Sequence, residues 1–182
     1  MVERVCIYPC GGIKRVESSV ARIAAYIVNE DFLPKKTLIL CVPAFLRGVE
    51  EDLVMVEDYP SVIIDCSDDN CATNLFYMAG LKPAARIFIP EIAEANSIKM
   101  SAQRRELDDQ GSELASAVAR ETARVASAML ENPNYEFPKQ NIKTNTCLAN
   151  ASIIPENPFQ YKKIAPGIYI PAEMPEFFPE GA

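Results

Sequence analysis

Histidine is absent from this sequence of 182 residues, and its absence narrows the chemistry that the chain can perform. Without an imidazole there is no histidine metal ligand, no Ser-His-Asp or Cys-His catalytic arrangement, and no ordinary general base at neutral pH. Most hydrolase mechanisms are therefore disfavoured.

Net positive charge and long apolar runs are also missing. The formal net charge is -7 and the pI is about 4.8, whereas a phosphate backbone is normally bound by a basic face. No segment resembles a membrane-spanning helix, and Glu3 and Arg4 interrupt any signal-peptide core near the start. We therefore expect a cytoplasmic protein whose partners include neither nucleic acid nor membrane.

The pattern of apolar residues predicts an α/β fold. Hydrophobic residues make up 49% of the chain, which is enough to build a core. Short apolar runs at 2–8, 37–42, 62–64 and 85–89 alternate with helical patterns. This alternation predicts an open parallel sheet of about four strands in the order 2-1-3-4, with helices on both faces. The first helix is expected to bury apolar residues spaced by three and four: Ile13, Val16, Val20, Ile23 and Ile27.

Two further segments complete the predicted architecture. Residues 101–131 are rich in Ala, Glu and Arg and predict a long helix, bent at Gly111, that covers the sheet or pairs with its copy in a homodimer. Eight of the fourteen prolines lie between Asn132 and Ala182, interleaved with aromatic residues. We interpret 1–131 as an α/β thiolate-site domain and 132–182 as an extended arm laid over that domain or a partner subunit. The alternative is a partly disordered tail.

Four of the six cysteines fall where the predicted parallel strands end. Cys10, Cys41 and Cys66 each follow a strand, and Cys71 opens the next helix. Ligands of open α/β sheets bind at this edge, and adjacent strands lie about 4.8 Å apart. We therefore predict that the four thiolates meet and hold zinc. The same ligand set would also hold an iron-sulfur cluster.

Other roles for these cysteines stay open. Cys66 and Cys71 could form a redox pair without permanent metal, or the thiols could be inert and buried, as is expected for Cys6 within its strand. Cys147 lies in the arm and receives no role. Asp68 and Asp69 are interpreted as caps of the helix at Cys71 rather than as ligands. The charges of Asp65, Asp68 and Asp69 oppose thiolate formation in the metal-free protein, whereas the helix N-terminus favours a thiolate at Cys71.

The turn after the first strand has the form of an anion cradle. Gly11 and Gly12 would direct backbone N–H groups toward an anionic cofactor or a metal-bound sulfur, with Lys14 beside them. The spacing differs from the Walker and dinucleotide motifs, and a simple tight turn explains the same glycines. Arg47 and Arg86, near strand ends or helix starts, are interpreted as solvated charges.

Taken together, Cys10-Gly11-Gly12, Cys41, Asp65-Cys66 and Cys71-Ala72 resemble the pattern of the DGC-domain family over about residues 2–91. The resemblance implies zinc binding without an established reaction. The chain departs from the Asp-Gly-Cys motif because Cys66 directly follows Asp65, and four residues rather than three separate Cys66 from Cys71.

Three hypotheses follow. The first is a cytoplasmic zinc protein with the site at the carboxyl edge of the sheet. The second is a redox, sulfur-handling or iron-sulfur-handling protein. The third is an assembly protein that works through its proline-rich arm. The sequence identifies neither a substrate nor a specific protein partner.

Overall fold

The computed structural model describes residues 1–100, 102–140, 142, 158–175 and 177. It contains one six-stranded sheet whose order is β2-β1-β3-β4-β6-β5. The first four strands are parallel and the last two pair antiparallel. The strand bounds are β1 Val5–Pro9, β2 Thr37–Ile39, β3 Ser61–Asp65, β4 Ala85–Phe88, β5 Tyr161–Ala165 and β6 Ile168–Pro171. The predicted α/β class and the order 2-1-3-4 are confirmed, but the sheet is larger than predicted.

Helices cover both faces of the sheet, as predicted. Side chains of β1 alternate between the two faces, with Val5 and Ile7 in one core and Cys6 and Tyr8 in the other. The first core contains α1, α5 and α6, and the second contains α2, α3 and α4. A π-helical turn, Ile27–Phe32, continues α1. The helix bounds are α1 Val16–Tyr26, α2 Val42–Arg47, α3 Glu50–Asp58, α4 Cys71–Ala79, α5 Ile89–Ala95 and α6 Asp109–Glu131.

Two helices begin later than the periodicity predicts. Ile13 precedes α1 and is 85% exposed, so it does not belong to a buried helical face, and Ile23 is also exposed. The long helix begins at Asp109 rather than near residue 101, because the Asp108 carboxylate caps it by accepting from the Gly111 N–H. Gly111 therefore lies in the first turn and marks no bend. Helix α6 packs against α1 and covers the sheet.

The C-terminal segment contributes β5 and β6. The structure places two of its prolines where a strand tolerates them, with Pro166 in the turn and Pro171 at the end of β6. The hairpin covers the edge that β4 would otherwise expose, and Ile168 and Ile170 complete the core. The boundary between domain and arm near residue 131 stays a prediction. Cys147 lies outside the described residues.

The chain order opens a crevice between two central strands. From β1 the chain crosses to β2 through α1 on one face, whereas from β3 it crosses to β4 through α4 on the other face. The loops after the adjacent strands β1 and β3 therefore diverge, which is the position where open α/β sheets hold ligands. Among the described helices, none combines the length and the apolar character needed to cross a membrane.

Candidate functional site

Cys10 and Cys66 meet at the crevice between β1 and β3. Their sulfur atoms lie 3.1 Å apart, and both side chains are buried. The Cys10 N–H donates to the Ile64 carbonyl at 2.9 Å, so the pairing of β1 with β3 continues into the first cysteine loop. The sheet therefore fixes the backbone of Cys10 directly beside the end of β3, although the two cysteines are 56 positions apart in the sequence.

Cys66 donates a hydrogen bond to Cys10, which favours ionisation of the Cys10 thiol. The hydrogen bond from Cys66 lowers the pKa of Cys10 to about 7, although burial acts in the opposite direction. The Gly12 N–H and Ser18 also donate to Cys10 and favour its ionised form. The same bond to Cys10, together with burial, raises the pKa of Cys66. The two thiols therefore titrate as a coupled pair, in which Cys10 loses its proton first and Cys66 retains its own.

Gly12 allows the backbone to approach the sulfur pair closely. A Cβ atom at this position would lie 2.9 Å from Ser18 Oγ and 3.5 Å from Cys10 Sγ. The Ser18 hydroxyl is itself 3.5 Å from the Cys66 sulfur. Cys10, Cys66, Gly12 and Ser18 therefore form one compact cluster, which we call the sulfur cluster.

Cys71 borders the sulfur cluster, whereas Cys41 does not join it. Cys71 is exposed at the start of α4, and its interaction with the Cys10 side chain acts to lower its pKa. Burial raises the pKa of Cys71, and electrostatic interactions with Cys66, Asp65 and nearby Asp69 act in the same direction. Asp65 and Asp69 thus act in the predicted direction, but burial is the larger cause. Cys41 is exposed, and among the described residues no hydrogen bond joins its sulfur to the other three.

Two arginines donate hydrogen bonds to the turn that contains Gly11 and Gly12 and to the residues just after it. Arg22 donates to the Gly12 carbonyl at 2.7 Å, and Arg104 donates to the Lys14 carbonyl at 3.1 Å. Gly11 and Lys14 are both exposed. A Cβ at Gly11 would lie 3.1 Å from Val42 Cγ2, so this position also favours glycine. The predicted role of this turn toward an anionic cofactor stays a prediction.

Asp65, the residue before Cys66, uses its whole carboxylate in structural bonds. Oδ1 accepts from the backbone N–H groups of Ala72 at 2.9 Å and Thr73 at 3.4 Å. Oδ2 accepts from Thr73 Oγ1 at 2.6 Å and from Arg86 Nε at 2.8 Å. A carboxylate offers about four lone-pair sites, so none remains for a metal ion. Asp65 therefore caps α4 and is not a ligand.

Asp68 and Asp69 do not cap α4, contrary to prediction. The N-cap residue is Asn70, whose φ of 49° is left-handed and whose side chain makes no capping bond to the helix. Asp69 instead forms an exposed ion pair with Arg15 at 3.2 Å, which joins the two cysteine loops. Asp65 reaches the free N–H groups of α4 first because it is buried beneath them at the end of β3.

Arg86 is buried, although the sequence suggests a solvated charge. It pairs with Asp65, and its NH2 group donates to the Asn70 side chain. Its guanidinium lies over the ring of Phe88 at 4.4 Å and faces two rings of the C-terminal hairpin, Tyr161 and Tyr169. We call Asp65, Arg86, Asn70, Thr73 and Tyr161 the carboxylate cluster; Tyr161 joins it through a 3.1 Å hydrogen bond to Thr73.

A cavity of about 370 Å³ lies beside Cys71, between α2 and α4. Its walls are mainly apolar and include Val42, Leu46, Leu75 and Met78. Tyr8 lines it from β1, and the Tyr8 hydroxyl is buried without a hydrogen-bond partner among the described residues. Burial raises the pKa of Tyr8, and electrostatic interactions with Cys10, Cys41 and Asp52 act in the same direction.

The donor chemistry of the sulfur cluster fits a zinc ion, but the present sulfur positions do not enclose one. Within the residues that the structure describes, no group of three or more His, Cys, Asp or Glu side chains is arranged to hold a metal ion. Tetrahedral zinc with 2.3 Å bonds requires sulfurs about 3.8 Å apart, whereas the sulfurs of Cys10 and Cys66 lie 3.1 Å apart.

Sequence reasoning missed Ser18, Tyr8 and the partners of Asp65. Serine is common in the first turn of a helix, so nothing in the sequence indicates that Ser18 lies beside the cysteine sulfurs. Tyr8 resembles any strand residue that alternates into a core. The contact between Asp65 and Arg86 depends on the pairing of β3 with β4, and charge patterning along the chain gave no signal for it.

The comparisons with known proteins place the chain in a family. The model of the DGC domain matches residues 6–113, which include the four predicted ligand cysteines and reach the first turn of α6. The match extends beyond the region expected from the cysteine motifs, and β5 and β6 lie outside it. No match was found among curated proteins or among solved structures. Over more than half of its length, the chain belongs to the DGC domain family.

Proposed function

We propose that this protein binds zinc through the sulfurs of Cys10, Cys66 and Cys71. The observation that carries the proposal is the 3.1 Å contact between Cys10 and Cys66, which brings together thiols from two separate loops. Membership of the DGC domain family supports it. Cys41 is not among the proposed ligands because it is exposed and makes no hydrogen bond to the other sulfurs in the described part of the chain.

The protonation state of the sulfur cluster supports metal binding. Thiolates are the form that ligates soft and borderline metals, and the lowered pKa of Cys10 provides one near neutral pH. Each further thiol must lose a proton when it binds, so affinity would increase with pH. We propose a reducing compartment such as the cytoplasm, because the site requires free thiols.

Three protein ligands would leave one position open, as in catalytic zinc sites. When bound, zinc would supply a Lewis acid able to hold an anionic oxygen or sulfur from a substrate. The residues of this chain would orient that site, since Gly12 and Ser18 donate to the sulfurs while Asp65 fixes the start of α4 beside Cys71.

Elemental analysis of protein purified without oxygen tests the proposal. We expect about one zinc per chain in the wild type and in Cys41→Ser, and loss of zinc in Cys66→Ser. Cys41→Ser is the matched control because it removes a thiol that also follows a strand at this edge of the sheet but is not a proposed ligand. Retention of zinc by Cys66→Ser would overturn the proposed ligand set. Iron with inorganic sulfide in place of zinc would instead identify a cluster.

A dithiol redox function is the second candidate, favoured by the same short contact. Cys10 and Cys66 could form one disulfide, with transfer of two electrons and two protons to an external disulfide that becomes two thiols. This pair differs from the Cys66 and Cys71 pair that the sequence suggests. A metal-free protein with a reversible mass loss of two hydrogens, absent from Cys10→Ser, would favour this function over zinc binding.

A further inference from the structure

We propose that two copies of this chain associate through the carboxyl end of α1 and the turn that leads from it to β2. In this dimer Glu30 and Asp31 of one copy face Lys35 and Lys36 of the other. We call this surface the α1-end patch; it consists of Tyr26, Glu30, Asp31, Phe32, Lys35 and Lys36. The inference goes beyond the proposed function and does not depend on zinc.

Two aromatic side chains give the α1-end patch an apolar surface. Tyr26 is 52% exposed and Phe32 is 44% exposed. Ile23, one helical turn before Tyr26, is 42% exposed, although the sequence predicts that it faces the core. The opposite face of α1 is buried and packs against α6, so α6 leaves these three side chains uncovered. Exposed apolar side chains that cluster in this way are typical of contact surfaces.

Two acidic and two basic side chains complete the patch. Glu30, Asp31, Lys35 and Lys36 are all exposed, and within the described part of the chain none of them takes part in an ion pair. In a two-fold dimer the same surface of both copies is used, so contacts between unlike residues occur twice. The acidic pair of each copy can therefore face the lysine pair of the other copy, which makes the patch complementary to itself.

Hydrogen bonds hold the acidic and basic parts of the patch together. The Asn29 side-chain amide donates to the Thr37 carbonyl at 2.9 Å and to the Thr37 hydroxyl at 3.0 Å. The Lys36 N–H donates to the Leu33 carbonyl at 3.1 Å, and the Leu33 N–H donates to the Val28 carbonyl at 2.8 Å. These bonds join the turn that carries the lysines to the helix end that carries the acids. A surface that is ordered in advance loses less conformational entropy on association.

The neighbouring sheet edge is less suited to the contact. Strand β2 is an edge strand, and such an edge can pair with another chain. It is only three residues long, and the Asn29 amide already bonds the carbonyl of its first residue, Thr37. The helix end is therefore the surface offered to a second copy.

A second exposed apolar surface lacks this self-complementarity. Leu46, Val49 and Val54 are also exposed, on α2, α3 and the residue between them. The first turn of α3 carries three acidic residues beside them: Glu50, Glu51 and Asp52. Arg47 offsets only part of this charge. Two copies that met there would repel each other, so the α1-end patch fits a second copy better.

Sedimentation velocity of the full chain in a reducing buffer, from about 1 to about 200 µM, tests the proposal. The reducing agent prevents disulfide-linked dimers through the exposed Cys41 or Cys71. Because the patch is small compared with permanent dimer interfaces, we expect reversible dimerisation of the wild type in the micromolar range. Tyr26→Asp should weaken it by about tenfold or more.

Val54→Asp is the matched control. It places the same charge at an apolar position of α3 that is 46% exposed, which is close to the exposure of Tyr26. We expect this variant to dimerise like the wild type.

Charge reversal tests the pairing itself. Glu30→Lys/Asp31→Lys and Lys35→Glu/Lys36→Glu should each sediment as monomers, because like charges then face each other. An equimolar mixture of the two variants should form dimers, because the basic patch of one copy meets the acidic patch of the other. Circular dichroism checks that each variant is folded.

Three results would overturn the inference. The first is a wild type that sediments as a monomer over the whole concentration range. The second is a dimer that Tyr26→Asp leaves intact, which would point to α6 or the C-terminal arm as the interface. The third is a mixture of the charge-reversed variants that stays monomeric. Zinc content measured on the same samples bears only on the proposed function, so the two proposals fail separately.

Discussion

Asp65 and Cys66 are neighbours in the chain, but their side chains lie in two different clusters. Asp65 belongs to the carboxylate cluster and Cys66 to the sulfur cluster. Alternation along β3 directs Asp65 toward the face of α4, where four donors satisfy its carboxylate. Cys66 lies on the face of α1, where its sulfur meets Cys10 and Ser18. The comparison teaches that burial alone does not mark a functional group. Asp65 has no bonding capacity left, whereas the sulfurs can exchange a proton for another partner.

The carboxylate cluster also links the family-matched region to the hairpin outside it. Arg86 on β4 pairs with Asp65 and faces the ring of Tyr161 on β5, while the Tyr161 hydroxyl bonds Thr73 on α4. The β5–β6 hairpin therefore supports α4, the helix that begins at Cys71. The sulfur cluster has no corresponding contact with the hairpin in the described residues.

The largest expected effect comes from breaking the carboxylate cluster. Asp65→Asn should lower the free energy of unfolding by about 3–5 kcal/mol, because it leaves Arg86 buried without a countercharge. Urea unfolding monitored by circular dichroism measures this loss. Asp69→Asn, which removes an exposed ion pair, should cost less than about 1 kcal/mol. The double variant Asp65→Asn/Arg86→Met should recover part of the loss, and a double variant less stable than the single one would contradict this account.

Disturbing the sulfur cluster through the backbone should have a smaller effect on stability. Gly12→Ala should cost about 1–2 kcal/mol, since the new Cβ would clash with Ser18 Oγ. It should also raise the pKa of Cys10, measured from thiolate ultraviolet absorbance, because the Gly12 N–H would move away from the sulfur. Gly48→Ala is the control: its φ of 78° makes the substitution costly, but no atom near the sulfurs is affected. An unchanged pKa in Gly12→Ala would refute the proposed cradle.

The coupling between hairpin and α4 predicts a still smaller change. Tyr161→Phe should lower the free energy of unfolding by about 1 kcal/mol, because it removes the bond to Thr73 Oγ1 and keeps the ring facing Arg86. Denaturant unfolding provides the measurement. Tyr77→Phe, at an exposed position of α4, should leave stability unchanged. Equal stability of the two variants would show that the hairpin does not support α4 in this way.

The smallest effect is expected at the ion pair between Glu91 on α5 and Lys163 on β5. This pair is more exposed than that of Asp65 with Arg86 and serves as a reference for it. Burial acts to raise the pKa of Glu91, but hydrogen bonds from Lys163, Tyr169 and the Gly167 N–H outweigh it and keep this pKa below its ordinary value. Glu91→Gln should cost about 0.5 kcal/mol at neutral pH. Because the folded-state pKa is lowered, this contribution is complete above the unfolded pKa of about 4.3 and disappears as the pH falls below it.

Stability curves of wild type and Glu91→Gln should therefore converge in acid. A difference that grows as the pH falls would contradict the assignment of the lowered pKa to Glu91. A loss as large as that of Asp65→Asn would remove the distinction between the exposed and the buried ion pair.

Much of the site could be predicted because strand ends are visible in the sequence. Cys10 and Cys66 follow apolar runs, and the order 2-1-3 makes their strands adjacent, so their meeting follows from topology. Cys41 follows the neighbouring strand in the same way but stays exposed, because β2 ends at Ile39, two residues before it. Strand length, which apolar composition defines poorly, decides which cysteines reach the crevice.

The sequence by itself determined the α/β class, the order of the four parallel strands and the edge at which the cysteines collect. These features depend on the period of apolar residues and on the handedness of chain crossovers, both of which are local or general properties. Only the tertiary structure decided that Asp65 is saturated, that Arg86 is buried, that the last two strands extend the sheet and that Tyr8 lacks a partner. Each of these depends on side chains distant in sequence that come together only after the strands have paired, and such contacts leave no periodic signal in the chain.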